Sequence, residues 1–132
     1  MVNMLGMDLL KSGEDYLERI LMLEEHSGRN NVHSVELACS MGFSKPSISM
    51  AMKKLRENGY LSFGPKDELI LSEKGREIAV SIYERHEIIA HTLIALGVSE
   101  DLAYEDACRI EHDLSPETFE IIKRHYLSKK SK

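Results

Sequence analysis

A cysteine, a glutamate and a histidine fall within five residues in Cys108-Arg109-Ile110-Glu111-His112. On a helix, positions i, i+3 and i+4 share one face, with Cβ atoms about 5 to 6 Å apart. Thiolate, carboxylate and imidazole at that spacing are donors for a divalent transition metal. Further carboxylates and an imidazole lie upstream in Asp15, Glu18 and His86. The competing reading is chance, because a chain with 22 Asp and Glu residues brings acids to helical spacing often. His86 sits on an apolar stripe, four residues after Ile82 and three before Ile89, so a core histidine competes with a ligand there.

The elements that must carry these groups are mostly helical. In 132 residues with 42% hydrophobic content, helix formers dominate and strand-like runs are few. Ser12 with Asp15 three residues on reads as a capping box, which gives Asp15 a second possible role, and the spacing predicts a helix over about 13–26. The cluster Ser27 to Asn31 stops it. Ser34 is placed to cap a short helix through Ser40, Gly42 to end it, and Ser44 to cap the next, with Pro46 tolerated in its first turn. Tyr60–Phe63 and Glu68–Leu71 flank Gly64-Pro65-Lys66-Asp67 as a hairpin. Helix, turn, helix and hairpin in that order predict a winged helix-turn-helix.

After the hairpin, Ser72 is placed to cap a long helix with Ile78, Ile82, Ile89 and Leu93 on one side and Gly97 at its end. Ser99 opens a helix expected to reach about Asp113, and Ser115-Pro116 opens a last one carrying Phe119, Ile122 and Tyr126. The polar tail, Ser128 to Lys132, is expected to fray. The fold class is mainly α, with a winged helix-turn-helix in 1–71 and a helical domain in 72–132.

Charge distribution supports a nucleic-acid partner although the net charge is −5. Residues 44–76 hold seven basic and four acidic residues, between two segments of net negative charge. The start of the second helix of the pair offers Ser44, Lys45, Pro46, Ser47 and Ser49; Lys53 and Lys54 follow, and Lys66 lies at the hairpin tip. Hydroxyls there can meet bases or phosphate and the lysines can neutralise phosphate, so double-stranded DNA is the expected partner. No apolar run approaches a membrane span and Met1 to Leu10 lacks a signal-peptide pattern, so a cytoplasmic protein with reduced thiols is expected. Cys39, following Leu37-Ala38, is read as a small core residue. Nucleophile elbow, phosphate loop and His-Glu-x-x-His motifs are all missing, which argues against an enzyme and leaves a small metalloenzyme as the remotest reading. A winged-helix regulator answering to a non-metal ligand or to Cys108 oxidation is the nearer alternative.

Several collinear segments resemble the diphtheria toxin repressor family of metal-dependent regulators, including its manganese transport regulator branch. They are Glu14-Asp15-Tyr16-Leu17, Ser44 to Ser49, Leu71-Ser72-Glu73-Lys74-Gly75-Arg76, Arg85-His86, and Ala107 to Ser115. The resemblance implies a homodimeric winged-helix repressor of metal-ion homeostasis genes. It would be activated by Fe(II) or Mn(II), with Zn(II) or Co(II) binding in vitro, and would use no organic cofactor. The implied ligands are Asp15, Glu18, His86, Cys108, Glu111 and His112, and the dimer surface lies in 72–127. On this resemblance no SH3-like domain of the kind many iron-responsive members carry is expected, in keeping with the shorter manganese-type architecture. Cys108 stands where the manganese branch has glutamate, and Asp15 where the iron branch has methionine. Ala90 and Tyr104 replace the iron branch's second-site glutamate and histidine, with His91 as a partial substitute.

Overall fold

The computed structural model describes residues 11–130, which form two compact units dividing between Val80 and Ser81. In the first unit, α1 (Lys11–Ser27), β1 (Val32–His33), α2 (Ser34–Met41), α3 (Lys45–Glu57), β2 (Leu61–Phe63) and β3 (Glu68–Leu71) precede the opening turns of α4 (Glu73–Ala95). The strands form one antiparallel sheet in the order β1-β3-β2, with Val32 opposite Leu69 and Ser62 opposite Ile70. Sequence reading missed β1, because two residues are too few to show an alternation.

The core of this unit is apolar. Leu17 and Ile20 of α1, Leu37 of α2, Ile48 and Met52 of α3, Val32 of β1 and Leu69 of β3 are buried. Their spacing on α1 and α3 is the i, i+3, i+4 pattern of one buried helix face. Gly42 takes the left-handed conformation (φ 70°), and the Phe43 amide donates to the Ala38 carbonyl at 3.1 Å, closing α2 tightly before α3. Ser44 caps α3 by accepting from the Ser47 amide at 3.3 Å. At Gly75 a Cβ would fall 2.0 Å from the Tyr60 carbonyl oxygen, so only glycine lets the first turn of α4 lie against that backbone.

Local expectations changed in several places. α1 already includes Lys11, so Ser12 lies within the helix rather than at the N-cap position expected of it. His33, not Ser34, is the N-cap of α2, and Glu36 accepts from its amide at 3.3 Å. Cys39 is exposed, because Leu37 and Ala38 take the buried face of α2.

The second unit holds the rest of α4 with α5 (Glu100–Ile110) and α6 (Pro116–Lys130). Ile88, Ile89 and Ala90 of α4 pack with Ala107 of α5 and Phe119 of α6. Ser99 and Ser115 cap α5 and α6 by accepting from the Leu102 and Thr118 amides. α6 stays helical through Lys130 where fraying was expected from Ser128, and 131–132 lie outside the described residues. No helix among the described residues is long and apolar enough to cross a membrane.

Candidate metal centre and nucleic-acid face

α5 ends at Ile110, about one turn sooner than expected, which moves the opening motif onto a helix end. Glu111 is the C-cap, with helical angles (φ −57°, ψ −32°) and its amide still bonded to the Ala107 carbonyl at 3.0 Å. The register from Cys108 to Glu111 therefore survives, while His112 belongs to the turn beyond. Glu111 is wholly buried. Its Oε2 lies 2.9 Å from Nδ1 of His86, and its Oε1 lies 3.3 Å from Nε2 of His112. One donor atom each from His86, Cys108 and Glu111 fall within 4.8 Å of one another.

This set fits a metal ion. It offers a borderline nitrogen, a soft sulfur and a hard oxygen at mutual distances that neighbouring ligands of one ion can occupy. A carboxylate taken wholly out of water also needs positive charge or strong donors beside it. Asp15 and Glu18 lie one turn apart on α1, Asp15 half-buried and Glu18 buried.

Tyr104 stacks on the His86 ring at 5.4 Å and donates from its hydroxyl to Glu87 at 3.1 Å. Burial, then the bond to Glu87, pushes the Tyr104 phenol above its ordinary pKa. His91 lies 3.2 Å from the Tyr104 hydroxyl and 3.1 Å from that of Tyr126, so hydrogen bonding engages both of its ring nitrogens. Ala90 is buried in the core of this unit.

Arg85 was missed as a site residue. It is 5% exposed, its guanidinium donates to the Glu111 carbonyl at 2.8 Å and the Leu114 carbonyl at 2.9 Å, and it lies 5.0 Å over the Phe119 ring. The signal was available: Arg85 stands three residues after Ile82 and four before Ile89, so its side chain also falls on the buried stripe.

In the first unit the residues assigned to DNA are all exposed: Ser44, Lys45, Pro46, Ser47, Ser49, Lys53 and Lys54 on and before α3, and Lys66 on the hairpin. Ser44 is partly engaged already, capping α3 and lying 2.9 Å from the Ser47 hydroxyl. Ser49 and Lys53 line a concavity of about 490 Å³ with Arg56, Phe63 and Lys66. Arg56, absent from the sequence reading, lies with its guanidinium 4.8 Å over the Phe63 ring. At the hairpin tip Glu68 accepts from the Lys66 amide at 2.7 Å. Amides of Glu68 itself and of Lys66 hold that carboxyl below its ordinary pKa.

Comparison with known proteins bears on both units. The N-terminal DNA-binding domain of the iron-dependent repressors matches residues 8–69, and their metal-binding and dimerisation domain matches residues 72–129. An uncharacterised HTH-type transcriptional regulator of Methanocaldococcus jannaschii is 37% identical over 86% of this chain and 90% of its own. The HTH-type transcriptional regulator MntR of Geobacillus kaustophilus is 38% identical over 79% of this chain and 72% of its own. Among solved structures, a manganese-dependent transcriptional repressor in complex with manganese superposes with a TM-score of 0.74 at 26% identity over 86% of this chain. The manganese regulator SloR gives 0.74 at 28% identity, also over 86%. The present chain spans about half the length of these two solved chains, 52% of each. With both domains matched in order, the chain belongs to the iron-dependent repressor family of metal-dependent, DNA-binding transcriptional regulators, which includes the diphtheria toxin repressor and the manganese transport regulators.

Proposed function

We propose that this protein is a cytoplasmic homodimeric repressor of metal-ion homeostasis genes, in which Asp15, Glu18, His86, Cys108, Glu111 and His112 hold Fe(II) or Mn(II). Its division of labour would follow residues 1–71 for DNA and 72–132 for metal and dimer formation. The observation that carries this reading is the wholly buried Glu111 with His86, His112 and Cys108 gathered around it. The bound ion supplies positive charge to offset the carboxylates and a coordination shell that favours one arrangement of its ligands.

The chain's own residues do the rest. Glu111 and His86 are held against each other before any ion arrives, which lowers the ordering cost of binding. Asp15, half-buried, and Glu18, buried, add two carboxylates of α1 to the proposed ligand set. A differential affinity of about 1 to 3 kcal/mol between two arrangements changes DNA affinity about 5- to 150-fold. Exposed Lys45, Lys53, Lys54 and Lys66 neutralise phosphates, while Ser47 and Ser49 approach the groove. Cys108 sets selectivity: a thiolate is softer than the carboxylate it replaces and tilts the site toward Fe(II), Co(II) or Zn(II) over Mn(II).

The test is a titration of DNA selected from a randomised pool, under reducing conditions, with Mn(II), with Fe(II) and with chelator. Binding at least 5-fold tighter with metal is expected, and equal binding in all three sinks the metal-sensor reading. For selectivity, Cys108→Glu is expected to raise the ratio of Mn(II) to Fe(II) affinity; an unchanged ratio removes the role given to the thiolate.

A further inference from the structure

We propose that Arg85 is a positioning residue for the metal centre, acting through the main chain that carries Glu111. The proposal rests on the metal reading above.

Consecutive residues of α4 hold one glutamate from its two ends. Arg85 takes the Glu111 carbonyl through Nη1 at 2.8 Å, and His86 takes its carboxylate through Nδ1 at 2.9 Å. Nη2 of Arg85 reaches further along the same turn, to the Leu114 carbonyl at 2.9 Å and the Ser115 carbonyl at 3.4 Å. The Glu111 and Leu114 oxygens follow the end of α5, where carbonyls lack intrahelical donors and need partners from elsewhere, while the Ser115 oxygen also accepts from the Phe119 amide of α6 at 3.0 Å. A cation there also complements the negative end of the helix dipole. The planar guanidinium fork bonds separated carbonyls at once, which a lysine ammonium on a flexible stem does not reproduce.

Phe119 fixes the guanidinium from α6, with the ring 5.0 Å away. The turn 111–115 is thereby tied to α4 at the residue next to a proposed ligand. Arg85 then sets the distance between His86 and Glu111 without belonging to the coordination shell.

The experiment uses Co(II) as probe with the full chain, reduced and anaerobic. Co(II) affinity, the thiolate-to-Co(II) charge-transfer band at saturation, and Tm are compared among wild type, Arg85→Lys and Ile89→Val. Arg85→Lys is expected to lose about 10- to 100-fold in Co(II) affinity, the range for residues that orient ligands, and to saturate with an altered band. Ile89→Val, a core change in the same unit, is expected to lower Tm with affinity and spectrum unchanged. Equal affinity and an identical saturated spectrum in Arg85→Lys overturn the proposal, whatever its Tm. An equal loss in Ile89→Val overturns it too, since general loosening then explains the effect. Should Arg85→Lys fail to fold, Phe119→Leu decides: a several-fold weaker Co(II) affinity supports the proposal and wild-type affinity overturns it. A wild-type protein that shows neither saturable Co(II) binding nor a thiolate band fails the metal reading itself, which separates the two failures.

Discussion

The two units treat charge in opposite ways. In the first, the groups offered to a partner are exposed lysines on α3 and at the hairpin tip, carried by a core of aliphatic side chains. In the second, the groups proposed for the metal centre are inside: Glu111 is wholly buried, the His112 side chain is 3% exposed and Arg85 is 5% exposed. Exposed charges cost little to maintain and act through a field that salt screens within about 8 to 10 Å. Buried charges act at contact distance and must be compensated by partners. A change among the exposed lysines of the first unit should therefore alter function at nearly constant stability, whereas in the second the buried groups couple site and fold.

The largest effect expected from that contrast is at Glu111. Glu111→Gln keeps the size of the side chain and removes its charge, and should weaken Mn(II) or Co(II) binding by at least about 100-fold, or about 2.7 kcal/mol. At a free metal concentration of about 100 times Kd, wild type gains about 2.7 kcal/mol of stability, which chelator removes. Calorimetry should show Tm falling with chelator in wild type and staying put in the variant. A variant whose Tm still responds to metal as wild type does would place the centre elsewhere.

Next in size is an ion pair that breaks the simple form of the contrast, because the first unit also has a shielded one. Arg76 meets Glu24 bidentately at 2.8 and 2.9 Å, with the Glu24 side chain 8% exposed. The bond to Glu24 raises the Arg76 pKa above an already high value, so the arginine stays charged at every ordinary pH. Glu24→Gln strands that charge and should destabilise the protein by about 1 to 3 kcal/mol in denaturant titration. Metal affinity should not move with it. If it did, Glu24 would be part of the metal response rather than a brace between α1 and α4.

What could be read in the sequence divides along the same line. Ser44 as N-cap, Gly42 as the left-handed stop and the hairpin around Gly64 to Asp67 are local signals, set by a few adjacent residues, and the structure bears out all three. β1 escaped because its pairing with β3 is made by residues more than thirty positions away. The end of α5 escaped for a related reason. No proline or glycine marks it, and the turn after Ile110 is held by Arg85 from another helix. Cys108, Glu111 and His86 were legible by type and spacing, yet the gathering of His86 onto Glu111 is a tertiary fact. Cys39 shows the opposite error: apolar neighbours on a helix say little about the next position, which lies about 100° around the axis.

The smallest effects belong to the exposed lysines, and they test the contrast from its weak side. Lys53 lines the concavity from α3 and Lys66 closes it from the hairpin, so phosphates near that surface would meet both. Each ammonium that contacts a phosphate releases about one counterion, so Lys53→Ala and Lys66→Ala should each reduce the slope of log K against log salt by about 1. The loss of DNA affinity should be much the same for specific and unrelated sequences, since a phosphate contact positions the protein without reading bases. Stability should stay within about 0.5 kcal/mol of wild type, as surface substitutions usually do. Arg56 sharpens the comparison. Its guanidinium is exposed yet stacked on Phe63, so Arg56→Ala should change the salt slope and also cost some stability, through lost packing as well as lost charge. A lysine variant that unfolds the first unit, or an Arg56 variant that changes nothing, would mean that exposure is not what separates the two kinds of charge in this protein.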